Sequence, residues 1–343
     1  MKPNTADDVL DIMDSYIASS ALNAAMELGL FWLLKDRVLD TATISEKLNI
    51  PGTRCQYWLQ LLIDMELIAT VPGGFAPTAT AQSAILATYS PATWSSLASM
   101  ARERFPAVFD LANLIRNPAS TWEAQGLAPP NYFEELQAST EKANEFTRML
   151  YEIHLSLAAA LADHLDIKGA NRVLDLGGGS GVFSLALLRK HKSLEAVVVD
   201  IENVCTVGRA IAAENRLENR IKYVAADFEQ DELPKGFDMV MACDTGPYSE
   251  ALFRKVREAL NPGGRFIIVE QLPAEKDTVM PPWLTWSFRS SLHNSDFCLP
   301  SIADIQEPLE AAGFHLHAVT TVPHTDNVRW SKFWFVLEAH IAE

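Results

Sequence analysis

The sequence predicts an α/β fold in its second half, preceded by a mainly helical region that is similar to a winged-helix unit. From residue 171 onward, short β-rich segments alternate with helical segments, which is typical of a parallel sheet with helices on both faces. A glycine-rich turn directly follows the first of these strands. Before residue 100, two helical segments are followed by a short hairpin that turns at Gly73-Gly74.

The first half is predicted to be helical over most of its length. Apolar periodicity runs through 7–35, and two further helices at 43–50 and 53–69 lead into a β-wing at 70–78. Residues 91–163 are also predicted to be helical. The predicted domains are 1–100 for the winged-helix-like domain, 101–164 for a helical linker that contributes to a substrate pocket, and 165–343 for the α/β domain.

The second half contains seven β-like segments. Five of them alternate with helices at about 181–191, 204–216 and 249–260, and an Asn-Pro-Gly-Gly turn precedes the fifth. The last two follow a helix at about 301–312 and are expected to add a carboxy-terminal hairpin, which makes the sheet mixed. The seven segments are 172–176, 196–200, 221–226, 237–242, 265–270, 315–322 and 332–341.

The charge of the chain argues against several classes of partner. Its formal net charge is −16 at pH 7, which repels both phosphate backbones and anionic membranes. The second helix of the winged unit has Arg54 as its one cation, whereas a recognition helix needs several. No apolar run reaches the roughly 18 residues of a membrane span. We therefore expect neither a nucleic-acid nor a membrane partner.

The cysteines and the amino terminus indicate the cellular compartment of the protein. The four of them form no Cys-x-x-Cys pair, so a disulfide framework or zinc site built from them is not expected. The amino terminus also does not resemble a signal peptide. The sequence therefore predicts a cytoplasmic protein.

The most informative motif is Asp-Leu-Gly-Gly-Gly-Ser-Gly at 175–181. A dinucleotide fingerprint would require glycine where Val182 or Ser184 stands, and a P-loop would require a Gly-Lys-Ser/Thr ending. What remains is an acidic residue, Asp175, two positions before a run of glycines. A carboxylate there suits a zwitterionic, net-cationic ligand better than a pyrophosphate, while the glycines let the ligand approach the backbone closely.

Two further acids stand at the ends of consecutive strands. Asp200 ends the second strand of the α/β half, where a carboxylate can accept hydrogen bonds from both hydroxyls of a ribose. Asp227-Phe228 follows the third strand, where the acid can bind an adenine amino group while the ring covers the base. Because both lie at strand ends, we expect them beside the glycine turn.

These motifs, with the Asn-Pro-Gly-Gly turn and the strand ending in Glu270, resemble the class I methyltransferases. The winged-helix-like first half narrows the resemblance to small-molecule O-methyltransferases of the caffeate and hydroxyindole type, including bacterial natural-product enzymes. The resemblance implies a Rossmann-like domain, an amino-terminal dimerisation domain and hence a homodimer. It also implies S-adenosylmethionine as cofactor and S-adenosylhomocysteine as product. The expected cofactor contacts are Asp175, Gly177, Gly179, Asp200, Asp227, Phe228 and Cys243.

The chain departs from this family at the catalytic positions. The family places a general-base histidine just after the fourth strand, and Ala242 stands there. Glu270 matches the first of two bracing glutamates, but Leu299 replaces the second. We expect His293 or Asp244 to take the proton, with Cys243 and Tyr248 as further candidates, and Glu270 to orient the acceptor or the base. An amine, an activated carbon or an already acidic hydroxyl would need no strong base.

The expected acceptor is small, flat and apolar, such as an aromatic or polyketide-like metabolite. Two other hypotheses remain: a non-methylating enzyme on the same scaffold, and a DNA-binding regulator that senses S-adenosylmethionine. The residues expected to face the substrate are Phe146, Met149, Trp283, Trp286, Phe288, Asn294 and Phe297.

One pair of histidines has a spacing that a metal site could use. His315 and His317 alternate along one predicted strand, so both would point to the same face. No third ligand lies near them in the sequence, and the sequence therefore predicts no metal.

Overall fold

The computed structural model describes residues 3–129, 131–167, 169–246, 248–272, 281–323 and 334–342, with only the backbone of 281–283. The chain divides into two compact units, Met1–Phe109 and Asp110–Glu343. Within the described residues, no helix has the length and apolar character needed to cross a membrane.

The first unit is mainly helical, with one hairpin. Thr5 caps its first helix in a reciprocal capping box with Asp8. A helix, a second helix and the hairpin lie where the sequence predicts helix, helix and wing. The elements are α1 Ala6–Glu27, α2 Leu30–Leu34, α3 Thr41–Leu48, α4 Gly52–Asp64, β1 Ile68–Val71, β2 Gly74–Pro77, α5 Ala79–Ala81, a π-helical turn Gln82–Leu86, α6 Pro91–Glu103 and α7 Pro106–Phe109.

Gly74 starts the second strand of this hairpin for a steric reason. Its φ is +146°, and a Cβ there would lie 2.2 Å from the carbonyl oxygen of Leu39. The close approach lets Leu39 form an antiparallel bridge with Phe75, so the hairpin gains a third, short partner.

The second unit is an α/β domain. Its helices are α8 Leu111–Leu114, α9 Tyr132–Ala138, α10 Thr140–His164, α11 Val182–Lys190, α12 Glu202–Glu214, α13 Glu250–Ala259, α14 Pro281–His293 and α15 Ile302–Ala311, with a 3₁₀ turn at Glu123–Gln125. Its strands are β3 Arg172–Leu176, β4 Glu195–Asp200, β5 Ile221–Ala225, β6 Phe237–Cys243, β7 Leu260–Gln271, β8 Phe314–Thr321 and β9 Trp334–Ile341.

These seven strands form one mixed sheet, as the sequence predicts, and their order is β5-β4-β3-β6-β7-β9-β8. The first five strands in this order are parallel, and β9 is antiparallel to both β7 and β8. Alternate residues of the central strands are buried on opposite faces: Val173 packs in one core cluster and Leu174 in the other. Because the sheet is covered on both faces, the buried positions of its central strands are mainly apolar.

The Asn-Pro-Gly-Gly segment lies within the fifth strand of the sheet, whereas the sequence predicts it as a turn before that strand. Strand β7 already begins at Leu260, which pairs with Phe237, and the next pair joins Met239 to Arg265. The four residues 261–264 are therefore an excursion within the strand. Gly263 has a φ of +77°, a conformation that glycine adopts without steric cost.

Candidate functional site

The glycine turn connects the end of β3 to the start of α11. Gly177, Gly179 and Gly181 all adopt left-handed φ values of 58° to 75°, which explains why glycine recurs at alternate positions. A Cβ on Gly177 would lie 2.9 Å from Cγ2 of Thr245 and 3.2 Å from the ring of Phe228, whereas one on Gly179 would meet nothing within 4 Å. The turn is therefore confined at Gly177 and open at Gly179.

Two neighbouring groups hold the turn in place. The hydroxyl of Tyr223, on β5, donates a hydrogen bond of 2.8 Å to the carbonyl oxygen of Ser180. The backbone N–H of Gly177 donates to the carbonyl oxygen of Val199 on β4, also at 2.8 Å. Because both contacts come from the sheet, the shape of the turn is set before any ligand binds.

Asp175 lies behind this turn, which differs from the expected cofactor contact. Its side chain is fully buried, and its Oδ2 accepts a hydrogen bond of 2.6 Å from the hydroxyl of Ser184. A Cβ on Gly178 would lie only 2.5 Å from the Asp175 carboxyl carbon. Burial raises the pKa of Asp175 to about 7. The carboxyl thus supports the turn from within the core and has no exposed surface to offer a ligand.

Asp200 reaches the open side of the turn from the end of β4. Its two carboxylate oxygens accept hydrogen bonds from the backbone N–H groups of Gly179, at 2.9 Å, and of Ile201, at 2.8 Å. Desolvation raises its pKa despite these bonds. The structure thereby brings Asp200 and the turn together, as expected from their positions at strand ends.

Asp227 and Phe228 complete this edge of the sheet from the end of β5. Oδ1 of Asp227 accepts a hydrogen bond of 2.9 Å from the N–H of Glu229, and the Phe228 ring borders the turn at Gly177. Together with Asp200, this edge offers carboxylate acceptors and an aromatic face. Hydroxyl, amino and cationic groups suit such a surface, whereas phosphate groups would be repelled.

Cys243 does not join this group. Its side chain is buried in the core cluster that also contains Met241 and Val269. Burial raises the pKa of its thiol well above the ordinary value. The side chain therefore packs as a neutral apolar group, and the expected cofactor contact finds no support in its position.

A second polar cluster lies at the ends of β6 and β7. Asp244 follows β6 with a φ of +55°, and its side chain is 49% exposed. Nε2 of His154, on α10, lies 3.9 Å from Oδ2 of Asp244. Thr245, the residue after Asp244, is the one that borders Gly177. The cluster is consequently adjacent to the glycine turn.

The orientation of His154 is fixed by its own helix. Its Nδ1 lies 2.9 Å from the carbonyl oxygen of Leu150, which selects the tautomer with the proton on Nδ1. The ring also packs beside Phe183 and Trp334, with centroids 5.9 and 6.3 Å away. Burial lowers the pKa of His154, and the charge of Asp244 opposes this shift. A neutral imidazole therefore presents the lone pair of Nε2 toward Asp244.

Glu270, at the end of β7, connects to the other side of Asp244. It accepts a hydrogen bond from the hydroxyl of Tyr248, and its Oε1 accepts another from the N–H of Gln271 at 2.8 Å. Burial and the neighbouring Asp244 raise the pKa of Glu270 to about 7. Burial also raises the pKa of Asp244, although His154 and a hydrogen bond with Glu270 act against this shift. Two adjacent carboxyls in this setting share a proton near neutral pH.

His154 is not among the residues that the sequence predicts for proton transfer. Of the two main predicted proton acceptors, Asp244 lies in this cluster, whereas His293 lies on the exposed carboxy-terminal end of α14. A signal was available, because His154 lies two helical turns after Phe146, one of the predicted pocket residues, on the same helix. What the sequence could not show is that α10 brings this position to the end of β6.

The predicted substrate residues fall into two groups. On α10, Met149 is buried, and Phe146 stacks on Tyr132 at 5.6 Å and packs against Ile201. On and after α14, Trp286 and Phe297 meet edge to face at 5.2 Å, while Asn294 is exposed. Phe288 is exposed on the same helix, and the side chain of Trp283 lies outside the described residues.

Comparisons with known proteins agree with this geometry. A family model described as an O-methyltransferase domain matches residues 108–314. The chain is 28% identical over 270 residues to the 3-hydroxy-5-methyl-1-naphthoate 3-O-methyltransferase of Streptomyces sahachiroi, with 76% of each chain covered. It is 23% identical over 322 residues to the N,N-dimethyltransferase OxyT of Streptomyces rimosus, with 91% of each covered. The solved structure of PigF with SAH shares the fold, with a TM-score of 0.81, 20% identity, and coverage of 98% of this chain and 100% of that one.

The buried carboxyl of Asp175 makes stability depend on pH. Its pKa is about 7 in the folded chain and about 3.9 in an unfolded one, so the folded state holds the proton more tightly. The free energy of unfolding should therefore fall as pH rises from about 4 to about 7. In Asp175→Asn, which is neutral throughout, we expect this slope in urea unfolding to flatten by about 1 kcal/mol per pH unit. Asp163→Asn, at an exposed site, is the control; equal slopes in both variants would contradict the assignment.

Proposed function

Because this chain belongs to the O-methyltransferase domain family of S-adenosylmethionine-dependent methyltransferases, we propose that it methylates a hydroxyl group of a small aromatic or polyketide-like acceptor. The cluster of His154, Asp244 and Glu270 beside the glycine turn is the observation that favours a hydroxyl as the group that is methylated. A hydroxyl must lose a proton during methylation, and this cluster supplies groups that can accept one.

The residues around the turn fit the cofactor. We assign the ribose hydroxyls to Asp200, whose carboxylate is already held by Gly179 and Ile201, and the adenine to Asp227 and Phe228. The methionine part would lie along the backbone of the turn, where the open space at Gly179 leaves room. The carboxylate-rich edge suits a sulfonium cation. When bound, the cofactor supplies an electrophilic methyl group and leaves as S-adenosylhomocysteine.

The proton of the acceptor passes to Asp244 in this proposal. The acceptor hydroxyl donates a hydrogen bond to the Asp244 carboxylate, which takes the proton as the oxygen gains the methyl group. The raised pKa of Asp244 makes it a stronger base than an aspartate whose pKa has its ordinary value. His154 Nε2 stands next in line to receive the proton, and the exposed part of Asp244 provides a route to water.

Glu270 positions Asp244 for this role. Glu270 shares a hydrogen bond with it and is itself held by Tyr248 and the N–H of Gln271. The family position for a histidine is occupied by Ala242, whose side chain is buried in the core. His154 and Asp244 together would replace that base from neighbouring elements, which keeps the proton acceptor at the same end of β6.

The acceptor would lie against the aromatic groups of the second unit. Trp286 and Phe297 form an edge-to-face pair that offers an apolar surface to a flat ring system. Asn294 and the exposed Phe288 add a polar and a further apolar group.

The most direct test of O-methylation is incubation of the purified chain with methyl-labelled S-adenosylmethionine and matched phenols, amines and carbon acids. Labelled O-methyl ethers are expected; label confined to nitrogen or carbon products would overturn the proposal.

Asp200 provides a test of the cofactor site. Loss of its charge in Asp200→Asn removes charge-assisted hydrogen bonds to the ribose, so the dissociation constant for S-adenosylmethionine should rise about tenfold or more in calorimetry. Glu202→Gln removes an exposed carboxylate two residues away and should bind as the unmodified chain does. Equal affinities for the two variants would exclude Asp200 as a cofactor ligand.

The proton-accepting cluster predicts a specific pH dependence. Asp244 must be ionised to act as a base, so kcat should rise with pH until the proton it shares with Glu270, whose pKa is about 7, has been lost. Asp244→Asn should lower kcat about a hundredfold with little change in cofactor affinity. His154→Gln should have a smaller effect. Glu270→Gln keeps a hydrogen-bonding amide beside Asp244 but removes the neighbouring carboxylate charge, so the rise in kcat should shift to lower pH. A profile that is unchanged in all three variants would rule the cluster out.

We also propose that the chain is a cytoplasmic homodimer. Helix α1 exposes an apolar stripe that favours burial against a second copy of the chain. The four cysteines are free thiols, which suits a reducing compartment. The exposed members of the stripe are Val9, Ile12, Met13, Tyr16 and Ile17.

Light scattering after gel filtration tests the dimer. The unmodified chain should have about twice the single-chain mass of 37.9 kDa. Met13→Asp with Tyr16→Asp places charges on the stripe and should yield the single-chain mass. Ser15→Asp changes an exposed residue on the opposite side of α1 and should remain dimeric. A single-chain mass for the unmodified protein would contradict the proposal.

A further inference from the structure

Three histidines lie close together on β8 and β9, the last two strands at one edge of the sheet. His315 and His317 belong to β8, the edge strand, and His340 belongs to β9 beside it. His315 is directly opposite His340 in the antiparallel register. The sequence offered no third ligand near His315 and His317. The structure supplies His340, from a strand that begins 17 residues after His317.

A register shift explains how His317 joins the other two. Leu316 pairs with Ala339 and Ala318 pairs with Glu338, so His317 is an extra residue with no partner in the register. Such a bulge re-aims a side chain at a sheet edge. The ring of His317 lies parallel to that of His340, with centroids 4.4 Å apart, and the ring of His315 is 5.6 Å from His340.

The imidazole nitrogens are close enough for one metal ion. One nitrogen from each histidine lies within 4.8 Å of the other two. Tetrahedral zinc at about 2.0–2.1 Å from each ligand requires nitrogens about 3.3 Å apart. His315 and His317 are exposed, so their side chains can close the remaining difference without moving the backbone.

A second layer of residues orients His340. Its Nε2 lies 2.7 Å from Oε1 of Glu338, an arrangement in which Nε2–H donates to the carboxylate and Nδ1 keeps a lone pair. Glu338 is held in turn by a buried ion pair of 3.2 Å with Arg265 on β7. A carboxylate behind a ligating imidazole is a common feature of zinc sites.

From these contacts we infer that His315, His317 and His340 bind a zinc-class divalent ion that links β8 to β9. Three neutral imidazoles favour Zn²⁺ over Mg²⁺ or Ca²⁺, which prefer oxygen ligands. The fourth coordination position is left to water, because the cluster lies at the sheet surface. Strand β8 is bordered by a single strand, so the metal would secure the edge of the domain.

The test uses the full-length, tag-free chain and ZnCl₂ in calorimetry. We expect one zinc ion per chain, a rise in the thermal unfolding midpoint with ZnCl₂, and no rise with the same concentration of MgCl₂. His317→Ala should weaken zinc binding at least about tenfold, and Glu338→Gln should also weaken it about tenfold through His340.

His164→Gln is the matched control. It removes an imidazole that contacts Thr320 of β8 and lies outside the three-histidine cluster, so it should leave zinc affinity unchanged. Because His317 is exposed on a bulge, its replacement should preserve folding, which circular dichroism would verify. Equal zinc affinity in His317→Ala and the unmodified chain would overturn the inference, as would half an equivalent of zinc per chain.

Discussion

Parallel pairing of β3 with β4 on one side and with β6 on the other is the constraint on which the site depends. It brings the carboxyl ends of five neighbouring strands to one edge of the sheet, where ligands of α/β folds bind. Acids that are far apart in the sequence, such as Asp200 and Asp244, consequently lie at the same edge of the sheet. The same pairing positions the glycine turn, through the bond between Gly177 and Val199, before any ligand is present.

The acids at this edge of the sheet are harder to ionise than acids in water. Desolvation raises the pKa values of Asp175, Asp200, Asp244 and Glu270. Repulsion between neighbouring carboxylates adds to this effect at Asp175, beside Asp200, and at Glu270, beside Asp244. Asp175 is stable there because it can hold its proton near pH 7 while accepting a bond from Ser184. Asp244 and Glu270 share a proton in the same way, which poises them for proton transfer near neutral pH. A cationic cofactor would relieve part of this repulsion.

Local sequence was sufficient for the features that depend on nearby residues. The seven strands, the glycine turn, Asp200 and Asp227 could be placed because strand ends and turns have local signals. His154 and His340 could not, because their neighbours come from other elements: α10 must pack on the sheet to bring His154 to Asp244. The bulge at His317 also has no marker in the sequence. Asp175 was assigned to the ligand because the pattern gives its spacing from the glycines, while its burial depends on the packing of Ser184 and Gly178.

The proposed reaction depends on Asp244, flanked by His154 and Glu270, accepting the proton of the hydroxyl that is methylated. A crystal structure with S-adenosylhomocysteine and an acceptor identified by its methylated product tests this most directly. We expect the acceptor oxygen to lie within about 3.2 Å of an Asp244 carboxylate oxygen, close to the cofactor sulfur. An acceptor oxygen hydrogen-bonded to His293, and out of reach of both Asp244 and His154, would contradict it.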